Sequence, residues 1–215
     1  MIESVNKTAG AANSSEFFQP ITEARTQLEF QQVRRFWYCV YCEVRGVLRD
    51  KADHAARELD DSLLGKGRLL WARDANGEIS GTVMGTYERE CDLGYYSEFY
   101  ELPRLAAPSN SISIATKLMV APQKRGTRLA LELLKRISTV GLQDGITHCV
   151  YDANPPTDTL FRRVGGRDWL GVKYHPSFGS VCVMMTLLRD DAHILRRADH
   201  PLAECYKNAG LLMFP

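Results

Sequence analysis

The sequence predicts a mixed α/β domain, and three observations carry the prediction. Val33, Phe36, Trp37, Val40, Tyr41 and Val44 recur at helical spacing. Asn76-Gly77 stands between two strand-like segments, where it favours a tight hairpin turn. Residues 111–120 alternate as a strand does, break at Ala121-Pro122, and give way to a helical face from Thr127. Along the chain the order reads β-α-α-β-β-loop-β-α-β-α-β, which argues for strands and helices packed in one mixed domain.

Residues 1–18 are rich in Ser, Ala, Asn and Gly and predict a flexible tail, leaving residues 19–215 as a single domain. Order begins near Ile21, and residues 21–30 have room for a first strand. After the helix over 33–44, residues 50–64 predict a second, more charged helix carrying Glu58, Asp60 and Asp61. Strands over 68–73 and 78–87 flank the Asn-Gly turn. Residues 88–110 form a long aromatic connection, and irregular connections of that length are usually functional. The helix after Thr127 places Leu129, Leu133, Leu134, Ile137 and Val140 on one face. A strand follows over 147–152. Pro155-Pro156-Thr157 opens a short helix that Gly165-Gly166 stops. The last strand covers 181–187. The remainder, including residues 193–198 and those from Pro201 onward, predicts a small helical or irregular coda.

A chain of 215 residues suits one domain. With 45% hydrophobic and 25% charged residues, collagen-like, coiled-coil and wholly disordered classes are excluded. The net charge of +1 supplies no global basic field, so DNA is not an expected partner. No apolar run approaches the about 20 residues that span a bilayer. The first residues lack the basic start and apolar core of a secretory signal, so a cytoplasmic protein with its six cysteines reduced is expected. Cys39 and Cys42 make one C-x-x-C. It has no second pair and lies inside an amphipathic helix, so no metal site is expected.

The segment LMVAPQKRGTRLALELLKRI carries the chemistry. A strand ends at Val120, a short loop carries Arg125 and Gly126, and a helix begins. Free N–H groups at a helix start and the helix dipole both favour an anion. Lys124, Arg125 and Arg128 add three positive charges within five positions. The product is a cradle for a phosphate or pyrophosphate.

This segment and the order of elements resemble the GNAT acyltransferases, whose signature is [Arg/Gln]-x-x-Gly-x-[Gly/Ala] after a strand ending in Val-x-Pro. Here it stands as Arg125-Gly126-Thr127-Arg128-Leu129-Ala130, with Arg128 in place of the central glycine. The resemblance covers residues 32–188. It implies a GNAT-like, mostly antiparallel central sheet with helices on both faces and two splayed parallel strands at its centre. It also implies a donor substrate, acyl-CoA or acyl-phosphopantetheine, rather than a permanent cofactor. Lys124, Arg125, Gly126, Thr127 and Arg128 would grip the donor's phosphates. The amides of Met119 and Val120 would bind the pantetheine arm and polarise the thioester carbonyl, and Asn154 would face the arm. Phe161 stands where the family often has a tyrosine that protonates the leaving thiolate.

The first half, RRFWYCVYCEVRG, then Glu58-Leu59-Asp60-Asp61, then LLWARDANGEISGT, resembles the long-chain N-acyl amino acid synthases and, more distantly, the acyl-homoserine-lactone synthases. The latter carry a Glu and an Arg in the strand before the loop, where this chain has Ile114 and Lys117. They carry a further Arg where this chain has Met84. Those departures argue against a homoserine-lactone product. The implied activity is an amide-forming transfer, in specialised metabolism, from a pantetheine thioester to a small amine or amino acid. The donor carrier would be CoA or acyl carrier protein, with a tRNA-borne acyl group as an alternative. A plain acetyl-CoA N-acetyltransferase and a GNAT domain that only binds ligand are further alternatives.

Three carboxylates are candidates for the general base. Glu98 and Glu101 lie in YYSEFYELP, whose aromatic neighbours would raise a carboxyl pKa; both also fit as plain loop acids. Asp152 ends a strand beside the expected splay, though it also fits as a turn cap. Asp60 and Asp61 fit a substrate amine, a structural Arg or a solvated helix end. His175 reads as a surface residue before Pro176 as readily as a base. Trp37 and Tyr41 read as core residues, or as walls of an acyl pocket.

Overall fold

The computed structural model describes residues 20–155, 157–189 and 202–210. The expectations for 1–18 and 193–198 lie outside those residues. The elements run β1 (Thr22–Glu23), α1 (Gln27–Tyr38), β2 (Ala52–Asp53), β3 (Glu58–Leu59), β4 (Gly67–Arg73), β5 (Ile79–Tyr87), α2 (Tyr95–Phe99), β6 (Ile112–Val120), α3 (Leu129–Gln143), β7 (His148–Ala153), α4 (Asp158–Arg163), β8 (Arg167–His175), β9 (Gly179–Leu187) and α5 (Ala203–Asn208).

Seven strands form one sheet in the order β1-β4-β5-β6-β7-β9-β8, and β2-β3 form a small separate hairpin. Neighbours in the large sheet run antiparallel except β6 and β7, which are parallel. The alternation of β4 fixes the layers. Leu69 and Trp71 join the cluster that holds Val33, Trp37 and Val40, on the α1 side. Leu70 and Ala72 join Leu129 and Leu133 of α3 on the other side. Each large apolar side chain so covered contributes about 1.5–3 kcal/mol. At Gly81 a Cβ would meet Met119 O at 2.8 Å and Leu133 Cδ1 at 3.0 Å, so α3 lies close on β5 and β6 there.

Helix α1 begins on a capping box. Thr26 Oγ1 accepts from the Glu29 N–H at 3.2 Å, and Glu29 Oε2 accepts from the Thr26 N–H at 2.8 Å. The predicted face is buried at Val33, Trp37, Val40 and Tyr41, but its last part, Cys39–Val44, is a π-helical turn that leaves Val44 exposed. There the Arg45 N–H reaches back five residues to Val40 O.

Two expectations are corrected. Residues 50–64 are not a helix but a short 3₁₀ turn, the β2-β3 hairpin and turns. Asp53 Oδ1 accepts from the Ala55 and Ala56 N–H groups, and Asp61 Oδ1 from that of Leu63. Those side-chain bonds satisfy the backbone locally and compete with a helical ladder. Arg57 also sits at φ +54°, outside helical space. The second correction is β8, a strand the sequence pattern does not announce. It is an edge strand, largely open to solvent, and a register shift between Asp168 and Gly171 interrupts its alternation. Of the coda, Ala203–Asn208 is helical and packs on α3, where Cys205 Sγ lies 3.3 Å from Lys135 O.

Candidate active site

The centre of the sheet opens because β6 and β7 part early. They pair only from Ile112 to Ile114 against His148 to Val150. Beyond that point β6 stays with β5, and β7 stays with β9. The parting coincides with a bulge. Register on β5 shifts between Thr82 and Met84, and Lys117 sits at φ +57°. Thr82 holds it in place. Its hydroxyl donates to Lys117 O at 3.0 Å and accepts from Trp37 Nε1–H at 3.1 Å.

A cleft of about 820 Å³, its open mouth included, fills the gap. Ala115, Thr116, Lys117 and Leu118 wall it on the β6 side, Asp152, Ala153 and Asn154 on the β7 side, and Leu134 and Phe161 lie along it. A second cavity of about 960 Å³, its open mouth included, adjoins it, lined among others by Leu59, Asp60, Asp61, Tyr95 and Ser177. Tyr96, Lys117, His175 and Phe178 belong to both.

The charges at this junction are ordered. Lys117 Nζ is 2.6 Å from Asp61 Oδ2 and lies over the rings of Trp37 and Tyr41, at 5.3 and 5.5 Å. Burial alone would lower the lysine pKa, but the oxygen of Tyr41 and the Asp61 carboxylate outweigh it and hold it above its ordinary range. Asp152 Oδ1 accepts from the Tyr100 hydroxyl at 2.5 Å. Burial and then Asp152 push the Tyr100 pKa well up, so the phenol keeps its proton. Burial likewise pushes Tyr96 up to about 12. His175 is buried, and its Nδ1 lies 3.1 Å from the Ser177 backbone N–H.

The residues named from sequence are distributed as follows. Asp152 lines the cleft. Glu98 is exposed on α2, and Glu101 pairs outside the cleft with Arg104 and Lys173. Asn154 lines the cleft, but its amide donates to Phe178 O at 3.0 Å, and its Oδ1 accepts from Arg45 at 3.4 Å. Met119 and Val120 lie opposite Thr82 and Gly81 of β5. The Ala121 N–H donates to Ser80 O at 2.8 Å. Alternation along the pair therefore turns the Met119 amide toward β5 and the Val120 amide toward the open edge.

The cationic turn lies at the start of α3. Arg125, Gly126 and Arg128 are exposed, and Gly126 takes φ +82°, which a glycine adopts freely. The Thr127 hydroxyl donates to Lys124 O and accepts from the Leu129 N–H, bracing the turn. The N–H groups of Lys124, Arg125 and Thr127 donate within the turn, to Ala121 O, Pro122 O and Lys124 O, so the backbone donors expected to be free there are largely taken. Phe161 is buried and lines the cleft without a proton to give.

Sequence reasoning passed over Tyr96 and Tyr100 and read Lys117 only as a replacement. A buried cation in a strand next to the cationic loop was the available signal for Lys117. Nothing local marks the tyrosines among the many aromatics of 95–100. Among the described residues no cluster of metal-binding side chains occurs, and no helix is long and apolar enough to cross a membrane.

The sequence matches no protein-family profile and no curated protein. The fold does match solved structures. The CoA-dependent acyl-homoserine lactone synthase BjaI with MTA aligns at TM-score 0.64 and 14% identity, over 85% of this chain and 82% of that one. TofI, in a ternary complex with an inhibitor and MTA, aligns at TM-score 0.62 and 14% identity, over 91% and 96%. A putative N-acetyltransferase from Lactobacillus plantarum aligns at TM-score 0.59 and 12% identity, over 80% and 98%. This chain therefore shares its fold with acyl-homoserine lactone synthases and with a putative N-acetyltransferase.

Proposed function

We propose that this chain is an acyltransferase that makes an amide, taking an acyl group from a pantetheine thioester and passing it to a small amine or amino acid. The observation that carries the reading is the parting of β6 from β7 next to the open, cationic turn of residues 124–128. One feature admits a pantetheine arm and the other receives its phosphates. Solved structures of like fold are named as CoA-dependent synthases, and one holds SAM and isopentyl-CoA. Either CoA or a carrier protein fits a donor gripped by its phosphorylated tail.

In this reading the thioester lies along the cleft and the amine enters from the adjoining cavity. Asp152 takes the proton that the amine nitrogen sheds as the amide forms; Tyr100 orients the carboxylate through Oδ1 and leaves Oδ2 for that role. The Val120 amide offers a donor on the open edge. The thiolate leaves to solvent, since Phe161 has no acidic hydrogen. Lys117, paired with Asp61, holds a place that a homoserine-lactone synthase would give to Arg, so the acceptor is an ordinary amine.

A mass-spectrometric screen of acyl-CoA and acyl carrier protein donors against amino acids and small amines tests the proposal. An amide product with release of free thiol is expected. A folded sample that transfers no acyl group from any thioester class would leave a ligand-binding GNAT domain in its place.

A further inference from the structure

The wall shared by the two cavities is where a thioester from one and an amine from the other would meet, and His175 stands in it. His175 ends β8, at the turn into β9. Its ring is packed by Phe178, Phe99 and Tyr95, with centroids at 4.5, 5.3 and 5.8 Å. The Ser177 backbone N–H lies 3.1 Å from Nδ1. A backbone N–H can only donate, so Nδ1 presents its lone pair, and the neutral ring carries its proton on Nε2. Nδ1 is thus engaged by the residue's own turn. Nε2–H makes no hydrogen bond to a described residue, while the side chain lines both cavities.

Resting on the acyltransferase reading, we propose that His175 Nε2–H is a fixed hydrogen-bond donor to the acyl carbonyl oxygen and holds it as the tetrahedral oxyanion. The amine nitrogen attacks the carbonyl carbon, a C–N bond forms, and the carbonyl π pair moves onto oxygen. His175 donates to that oxygen and keeps its own proton. As the pair returns, the C–S bond breaks. The amine attacks in its neutral form; the proton its nitrogen sheds as the amide forms passes to Asp152 and on to solvent, and the departing thiolate takes a proton from solvent. Thioester and amine give amide and thiol.

The tautomer separates this role from that of a base. A base needs a lone pair toward the substrate, and here the lone pair faces Ser177. Burial in the aromatic bed lowers the imidazole pKa. Asp152 pulls against that, while Lys51 and Lys117 add to it. The ring is therefore neutral near neutral pH and can stay a donor through the cycle. A donor already in place needs no reorganisation as charge develops on oxygen.

Nitrogen-15 NMR of the full chain reads the tautomer directly. Nδ1 is expected as a bare acceptor and Nε2 as the protonated nitrogen, with the Nε2 proton shifting when an unreactive ketone analogue of an acyl-CoA binds. In turnover, His175→Phe keeps the aromatic packing and should lower kcat about 100-fold with little change in KM, the usual loss for an oxyanion donor. His175→Gln, which returns an N–H near Nε2 but no basicity, should recover at least about tenfold of that loss. The opposite tautomer overturns the assignment, whether or not either variant folds. So does a folded His175→Gln as slow as His175→Phe. Binding of the analogue with Nε2 undisturbed removes the His175 role alone, whereas a wild-type chain that binds no pantetheine analogue removes the acyltransferase reading beneath it.

Discussion

Lys117 Nζ and Asp61 Oδ2 lie 2.6 Å apart, with both side chains less than a tenth exposed. The pair joins the bulge of β6 to the turn after β3; Lys117 lines both the cleft and the adjoining cavity, and Asp61 lines the latter. A buried pair of this kind is costly to break from one side, because the remaining charge is left uncompensated.

Asp61→Asn should therefore destabilise the fold by about 3–5 kcal/mol, read by chemical denaturation. The double change Asp61→Leu with Lys117→Met should restore most of that stability while leaving activity low. The pH dependence follows from the raised lysine pKa. The stability contributed by the charged Lys117 is complete below the ordinary lysine value of about 10.4. It is lost only as pH rises through the higher folded value. Equal stability of Asp61→Asn and wild type at pH 7 would refute the pairing.

Thr82 ties α1 to the bulge through one hydroxyl. Thr82→Val keeps the volume and removes both bonds, leaving the buried Trp37 N–H unsatisfied. A loss of about 1–3 kcal/mol is expected for that group. Because the same hydroxyl holds Lys117 O, kcat should fall with it. Unchanged melting and unchanged turnover would show that the bulge holds its shape without Thr82.

Arg125 is exposed beside the start of α3, where a phosphorylated donor would lie. Arg125→Ala should weaken acyl-CoA binding about tenfold or more, the range for one hydrogen bond to a charged group. Its main effect should be on donor KM, with kcat little altered. Titration calorimetry at two salt concentrations checks this, since wild type should lose more affinity to salt than the variant does.

Asp144 follows α3 and fastens the far side of the sheet. Arg68 Nε lies 2.9 Å from its carboxylate, and the Tyr87 hydroxyl donates to it at 2.7 Å. Burial would raise its pKa, but the bonds from Arg68 and Tyr87 outweigh this and lower it. The resulting stability is present above the ordinary Asp pKa of about 3.9 and is lost as pH falls through the lower folded value. Asp144→Asn should be less stable than wild type at pH 6, and the gap should close as the pH is lowered past that range. A gap independent of pH would assign the effect to packing.

Much of the fold is written locally. The face of α1 is legible because apolar residues recur every three or four positions, and the β4-β5 hairpin because Asn76-Gly77 suits its turn. The helix expected over 50–64 fails for a local reason as well. Asp53 and Asp61 hydrogen-bond to nearby backbone N–H groups, and helix-forming composition does not outweigh them. Strand β8 stays hidden because an edge strand open to solvent needs no apolar alternation.

The sequence by itself determined α1, β4, β5, β6, α3, β7 and β9, and where the cationic turn lies. Those properties depend on neighbours a few positions apart. Only the tertiary structure decided that β6 leaves β7 after Ile114 and bulges at Lys117, and that Asp61, Tyr96, Lys117 and His175 converge between two cavities. It also decided that Asp152 meets the cleft while Glu98 and Glu101 do not. Such choices are made by strand register and by packing between residues distant in the chain, and no local pattern encodes them.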